Sequence, residues 1–209
     1  MLITLEGIEG SGKTTQVKYI VEFLNKLGHE TVATREPGGT EICKKIREIL
    51  LDPDNCDLSP EAELMLYCAD RAQHIKSLII PALASGKVVI CDRFMDATTA
   101  YQGYARGISL DMINSLHEII LKDLRPDLTL LLDLEPETSL PRALKQLNNG
   151  QRTTAEARFE KENLLFHKKV RDAYLKLALK EPDRFRIINA SLDETEVRNN
   201  IINILKSEF

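Results

Sequence analysis

The sequence predicts an α/β fold in which a doubly wound parallel sheet of about five strands is flanked by helices. Three observations carry that expectation. Short apolar runs alternate with helix-period segments along the whole chain. Two of the runs, Val88-Val89-Ile90-Cys91 and Leu128–Leu132, are almost unbroken in apolar residues, as suits strands covered on both faces. The first run, Leu2–Glu6, passes straight into a glycine-rich loop and then a helix.

The elements follow in order. Leu2–Glu6 is the first strand. Lys13–Leu27 is a helix, because Val17, Ile20, Val21, Leu24 and Leu27 share a face and Gly28 stops it. Glu30–Thr34 is a short second strand. Ile42, Ile46, Ile49 and Leu50 give 41–51 helical spacing, and the turn Asp52-Pro53-Asp54-Asn55 closes it. Ser59-Pro60-Glu61 starts a helix with proline at its first position; it runs to about Ser85, with Pro81 as a kink or break. Val88–Cys91 and Leu128–Leu132 are strands closed by Asp92 and Asp133. Pro136–Leu147 is helical until Asn148-Asn149-Gly150 interrupts it. Phe166, Val170, Ala173, Tyr174 and Leu177 mark an amphipathic helix that ends before Pro182. Arg186–Ile188 is the last strand and Val197–Leu205 the closing helix. No repeat, low-complexity tract or linker breaks the series, so 1–209 reads as one domain with ligands at the strand C-terminal ends.

Gly7-Ile8-Glu9-Gly10-Ser11-Gly12-Lys13-Thr14 matches G-x-x-x-x-G-K-[ST], in the strand–loop–helix context that this phosphate loop requires. Its glycines let backbone N–H groups converge on an anion at a helix N-terminus. Gly7 through Thr14, with Thr15, are the candidate ATP-binding residues, and the fold expected is that of a P-loop NTPase. Lys13 has the reach for the β and γ phosphates, and the Thr14 hydroxyl suits Mg²⁺. Asp92 closes an apolar strand and precedes Arg93. An acid there can hold Mg²⁺ through water, while the guanidinium bridges donor and acceptor phosphates. The alternative is a structural ion pair at a strand end.

Composition excludes other classes. The chain has 209 residues and a formal charge of −4, without a block of like charges, so no basic field favours nucleic acid. Its apolar runs are too short for a membrane span. Cys43, Cys56, Cys68 and Cys91 are scattered without C-x-x-C pairing, which points to a reduced, cytoplasmic chain. A GTPase requires N-K-x-D, which is absent, and a motor favours a longer chain. A small enzyme passing phosphate to a small acceptor remains. A kinase for another nucleotide or nucleoside, and a nucleotide-dependent switch or assembly ATPase, stay as alternatives.

Thr34-Arg35-Glu36-Pro37-Gly38-Gly39-Thr40, Asp92-Arg93-Phe94, Ala100-Tyr101-Gln102-Gly103-Tyr104 and Arg125-Pro126-Asp127 before Leu132-Asp133 together resemble the bacterial thymidylate kinase family, nearly end to end. The resemblance implies transfer of the ATP γ-phosphate to dTMP, giving dTDP and ADP, with Mg²⁺, by a cytoplasmic homodimer. It places Tyr67 against thymine and Arg71 at a thymine carbonyl, with Thr98 and Gln102 on the remaining base edge and sugar. It gives the dTMP phosphate to Arg93 and Arg47, and sets Glu9 near the deoxyribose 3′-hydroxyl with Glu36 close by. Tyr101 or its neighbours would crowd the 2′-position. Tyr67 and Arg71 lie four apart, on one helical face, so stacking and edge hydrogen bonding are compatible. Core packing for Tyr67 and a solvated charge beside Asp70 for Arg71 are the alternatives. Arg35-Glu36-Pro37-Gly38-Gly39 is turn chemistry in any case, and a cis bond is expected at Glu36-Pro37.

Phosphoryl transfer needs positive charge over the migrating group. The loop's variable positions hold no arginine, so the resemblance implies a mobile lid, about 146–158, that supplies one. Ala157 stands where the family commonly has an aspartate, which leaves Arg152 and Arg158 both open, with Arg142 and Lys145 as further contributors. Arg158 is favoured because Phe159-Glu160 follows it. Lys13, Arg93, Arg158 and Glu9 are thus the expected catalytic set.

Overall fold

The computed structural model describes residues 1–55, 57–148 and 158–209, without the side chains of Asn148 and Glu160. The expected lid falls mostly outside the described residues, and Arg152 with it. Five strands, β1 (Leu2–Glu6), β2 (Thr31–Arg35), β3 (Val88–Asp92), β4 (Leu128–Asp133) and β5 (Phe185–Asn189), form one parallel sheet in the order β2-β3-β1-β4-β5. Helices α1 (Lys13–Lys26), α2 (Glu41–Leu51) and α3 (Pro60–His74) come from the first half of the chain, with α4 (Ile80–Ala84) and the short α5 (Met95–Thr98). The second half adds α6 (Leu110–Leu121), α7 (Pro136–Asn148), α8 (Leu164–Lys180) and α9 (Glu194–Glu208).

Strand periodicity divides the core into two layers. Ile3 and Leu5 of β1, with Val88 and Ile90 of β3, pack against Ile20 and Leu24 of α1 and Val197, Ile201 and Leu205 of α9. From the opposite face, Leu2, Val89 and Cys91 meet Ile75, Ile79 and Leu121, while Leu131 of β4 meets Val170 and Tyr174 of α8. Each fully buried aliphatic side chain contributes about 1.5–3 kcal/mol by its removal from water. The sheet is therefore held rigid from both sides, and its C-terminal edge is a fixed platform.

Three differences from the sequence reading have physical causes. The long helix from Ser59 is not broken at Pro81. It widens into a π-helical turn, Ile75–Ile79, just before α4. Pro81 has no N–H for the carbonyl four residues back and its ring crowds that group, and a wider turn relieves both. A second π-helical turn, Thr99–Ala105, extends α5. Neither it nor α6 is anticipated from the sequence. β2 runs to Arg35, one residue past the expected end, which lets Arg35 pair with Asp92 of β3. The Glu36-Pro37 bond is cis, as expected.

Candidate active site

Register builds the site. Asp92 lies beside Arg35 of β2 on one flank and Leu5 of β1 on the other, so three strands end in one row. The residues that follow, Glu36, Arg93 and the stretch from Glu6 into the phosphate loop, are delivered side by side. They border a cleft of about 790 Å³.

The loop wraps around its own lysine. Lys13 Nζ donates to the Gly7 and Ile8 carbonyls, each at 2.9 Å, and to Ser11 Oγ at 3.3 Å. Burial and then the charge of Arg93 lower its pKa to about 8, against the opposing pull of Asp92 and Glu9. Gly10 has φ of 75°, and a Cβ there would overlap the Ser139 carbonyl of α7. Only glycine lets the loop rest on that helix. Glu9, Gly10, Gly12, Lys13, Thr14 and Thr15 face the cleft, with Gly7, Ile8 and Ser11 behind them. The Thr14 hydroxyl donates to Asp92 Oδ2 at 2.8 Å, so the two expected metal ligands face the cleft together.

Arg93 is the hub. Its φ of 70° is rare for a residue with a side chain, the kind of strain that functional sites retain. Nη1 donates to the Gly7 carbonyl at 2.7 Å and to the Tyr174 hydroxyl at 3.2 Å, and Nη2 to Glu9 Oε1 at 2.8 Å. Its ion-pair partner is thus Glu9 rather than the neighbouring Asp92. Tyr101 donates to the same Glu9 oxygen at 2.6 Å and lies under the guanidinium, 5.0 Å from ring centroid to Cζ. Burial resists ionisation of Glu9, but Arg93, His167 and Lys13 outweigh it and hold the carboxyl well below the usual range. Glu6, Tyr174 and His167 stand behind this network and were not singled out in the sequence. Glu6 accepts from the Phe94 N–H and the Tyr174 hydroxyl, each at 2.7 Å. Burial, then the charge of Asp96, push its pKa up to about 8, against Arg93 and these hydrogen bonds. His167 is fully buried with Nδ1 3.3 Å from Glu9 Oε2. A terminal acid in an otherwise uncharged strand was the available signal for Glu6. Tyr174 and His167 were hidden inside an ordinary helical pattern.

The residues expected to meet the acceptor lie on one cleft. Glu36, Arg47, Tyr67, Arg71, Thr98, Tyr101 and Gln102 all line the cleft. Tyr67 is half-buried, so it both packs on the core and borders the cleft. Arg71 is 1% exposed, which removes the solvated-charge alternative. It donates from Nε to Glu36 at 2.8 Å, from Nη1 to Thr98 at 2.9 Å and from Nη2 to the Phe94 carbonyl at 3.0 Å. His74 Nδ1 lies 2.9 Å from the other Glu36 oxygen, and a Cβ on Gly39 would overlap its ring. Arg47 donates to the Pro37 carbonyl at 2.9 Å. Arg35, Lys18 and Phe94 also line the cleft and were missed as site residues.

Arg158 departs from the expectation. It is buried and does not line the cleft. Its Nη1 donates to Glu63 at 2.6 Å and to the Leu50 carbonyl at 3.2 Å, and its N–H donates to the Leu51 carbonyl at 3.3 Å. Those carbonyls end α2 without partners inside the helix, and Glu63 is a buried carboxylate, so the guanidinium is drawn inward by both.

Comparison with known proteins gives the family. A family model for thymidylate kinases matches residues 5–201. The chain belongs to the thymidylate kinase family. It is 57% identical over 202 residues to the thymidylate kinase of Desulforapulum autotrophicum, covering 97% of this chain and 89% of that one. It is 52% identical over 206 residues to that of Desulfosudis oleivorans, covering 99% and 96%. The crystal structure of thymidylate kinase from Ehrlichia chaffeensis superposes with a TM-score of 0.78 at 34% identity, covering 99% of this chain and 98% of that one. The family's reaction is therefore this chain's reaction: ATP phosphorylates dTMP to dTDP. Among the described residues, no helix is long and apolar enough to cross a membrane.

Proposed function

We propose that the cleft binds ATP on the phosphate loop and dTMP against Tyr67, with Arg93 between their phosphates. The observation that carries this is Arg93 itself, which is bonded to the Gly7 carbonyl of the loop and to Glu9 while bordering the acceptor half of the cleft. Loop N–H groups and Lys13 hold the donor phosphates, and Thr15 flanks them. Tyr67 stacks on thymine; Arg71, Thr98 and Gln102 read its edge; Arg47 and Arg93 take the monophosphate. Tyr101 and Glu9 border the sugar, with Glu36 fixing Arg71. Catalysis rests on positioning and on positive charge at the migrating group, which Arg93 and Lys13 supply.

The Thr14 hydroxyl and the Asp92 carboxylate, in contact and facing the cleft, suit Mg²⁺, which binds few protein ligands beside phosphate oxygens. When bound, the ion neutralises charge on the transferring phosphates. Arg158 is proposed to leave Glu63 in the loaded enzyme and meet the transferred group. The chain is read as one kinase domain over 1–209, working as a homodimer in the cytoplasm without nucleic-acid or membrane partners. Free thiols at Cys43, Cys68 and Cys91 are what a reducing compartment maintains.

Steady-state kinetics of two variants test the arrangement. Tyr67→Ala raises KM for dTMP by roughly five- to a hundredfold, the worth of one stacked base, with KM for ATP unchanged. Arg158→Ala lowers kcat by roughly 10³-fold with KM for dTMP within a few fold. Loss of stability alone in the second variant makes Arg158 an anchor and passes the charge to Arg152.

A further inference from the structure

We propose that Glu63, which lies behind the cleft rather than on it, sets the direction in which Gln102 reads the base. This rests on the placement of the pyrimidine against Tyr67, Arg71 and Gln102 proposed above. Glu63 is 0% exposed on α3, yet three side chains converge on it. Gln102 Nε2 donates to its Oε1 at 2.7 Å, Arg158 Nη1 to its Oε2 at 2.6 Å, and Arg106 to both oxygens at 3.3 Å. Every one of these contacts is a donor pointing at Glu63, as suits a carboxylate, which only accepts hydrogen bonds.

An amide is ambiguous until a neighbour fixes it. Turning Gln102 over would set its carbonyl oxygen against the carboxylate, acceptor on acceptor. With Nε2 committed to Glu63, Gln102 meets the cleft it lines with Oε1, an acceptor. Arg71, on the same cleft wall, has only donors to offer, and its three bonds to Glu36, Thr98 and Phe94 leave one hydrogen on each terminal nitrogen. The wall therefore displays a donor and an acceptor. That code fits a pyrimidine with a carbonyl next to a ring N–H, as in thymine or uracil. Cytosine presents an amino group and a bare ring nitrogen, and mismatches at both. Glu63 is thus a positioning residue for base selection, and Arg106, which also pairs with Glu162 at 2.7 Å, holds it in place.

The test compares kcat/KM for dTMP and dCMP in the wild type and in Glu63→Gln. Arg106 only donates and so takes the new carboxamide's oxygen, which leaves its N–H to the Gln102 oxygen; the Gln102 amide turns and shows a donor to the cleft. The expected result is a fall of roughly tenfold in kcat/KM for dTMP, carried by KM, with no matching fall for dCMP, so that the preference narrows about tenfold. A purely structural role lowers both substrates together and leaves the ratio unchanged, which overturns the proposal. Should Glu63→Gln fail to fold, Glu63→Asp carries the same test. It keeps the charge facing Arg106 but draws the oxygens back by one methylene from Gln102, and the same narrowing is expected. Tyr67→Ala separates the two levels of argument. An unchanged KM for dTMP in that variant moves the base elsewhere and sinks the site together with this inference. A raised KM beside an unaltered dTMP to dCMP ratio in the Glu63 variant sinks this inference alone.

Discussion

Glu6 is the sole ionisable side chain of β1, and it has been drawn into the core at the point where the strand gives way to the phosphate loop. Its pKa of about 8 in the fold stands above the ordinary 4.5, chiefly through burial. The folded state therefore holds a proton that the unfolded chain has released. This group's stabilising contribution is complete below pH 4.5 and is lost as pH climbs through 8. Glu6→Gln keeps the shape and removes the titration. Denaturant unfolding at pH 6 and pH 9 should show the wild type losing on the order of 2 kcal/mol more than the variant over that interval. Equal losses would assign the proton to another group. The backbone of the acceptor site is tied down in the same way. Asp70 accepts from the Gly38 N–H at 2.9 Å, and burial and the charge of Glu36 raise its pKa to about 6.

Between elements, the phosphate loop rests closely on α7. Gly10 combines a left-handed φ with backbone contact at Ser139 and Ala143, so Gly10→Ala meets strain and overlap together. A loss of roughly 2–3 kcal/mol is expected, read as a lower unfolding midpoint in denaturant, with a raised KM for ATP. Retention of both values would mean that α7 does not brace the loop. Elements whose pattern is local were legible in the sequence. Val88–Cys91 could be read because both of its faces are covered, and α2 because Ile42, Ile46 and Ile49 recur on one stripe. The turn Thr99–Ala105 could not, since Thr99 and Gly103 are poor helix formers and the π-helical geometry has no 3.6-residue signature. Gly103 lies close to α6 there: a Cβ would sit 2.8 Å from the Leu110 Cδ2, which would have to swing aside. Ile113, His117 and Leu121 do recur at four-residue spacing in α6, but a buried histidine and the exposed Ile119 blur the face. The site was legible where a motif named it. Glu63 was not, because its importance comes from Gln102, Arg106 and Arg158, which are 39, 43 and 95 residues away.

At the scale of the molecule, the parallel sheet leaves some helix surface uncovered. Met65 of α3 and Met112 and Ile119 of α6 are exposed, on helices that pack against each other. Met112 and Ile119 are seven residues apart and so share a face. Sedimentation equilibrium is expected to give twice the chain mass of 23.6 kDa, and Ile119→Glu to shift the protein toward monomer. A monomeric wild type would contradict the proposed homodimer.

Helix α7 ends at Asn148, and the described chain resumes at Arg158. Each flank leans on a partner distant in sequence: Ser139 and Ala143 of α7 crowd the phosphate loop at Gly10, and Arg158 pairs with Glu63 of α3. Exchanging α7 or the Arg158 segment with a relative therefore has to carry the loop glycine or the matching acid as well.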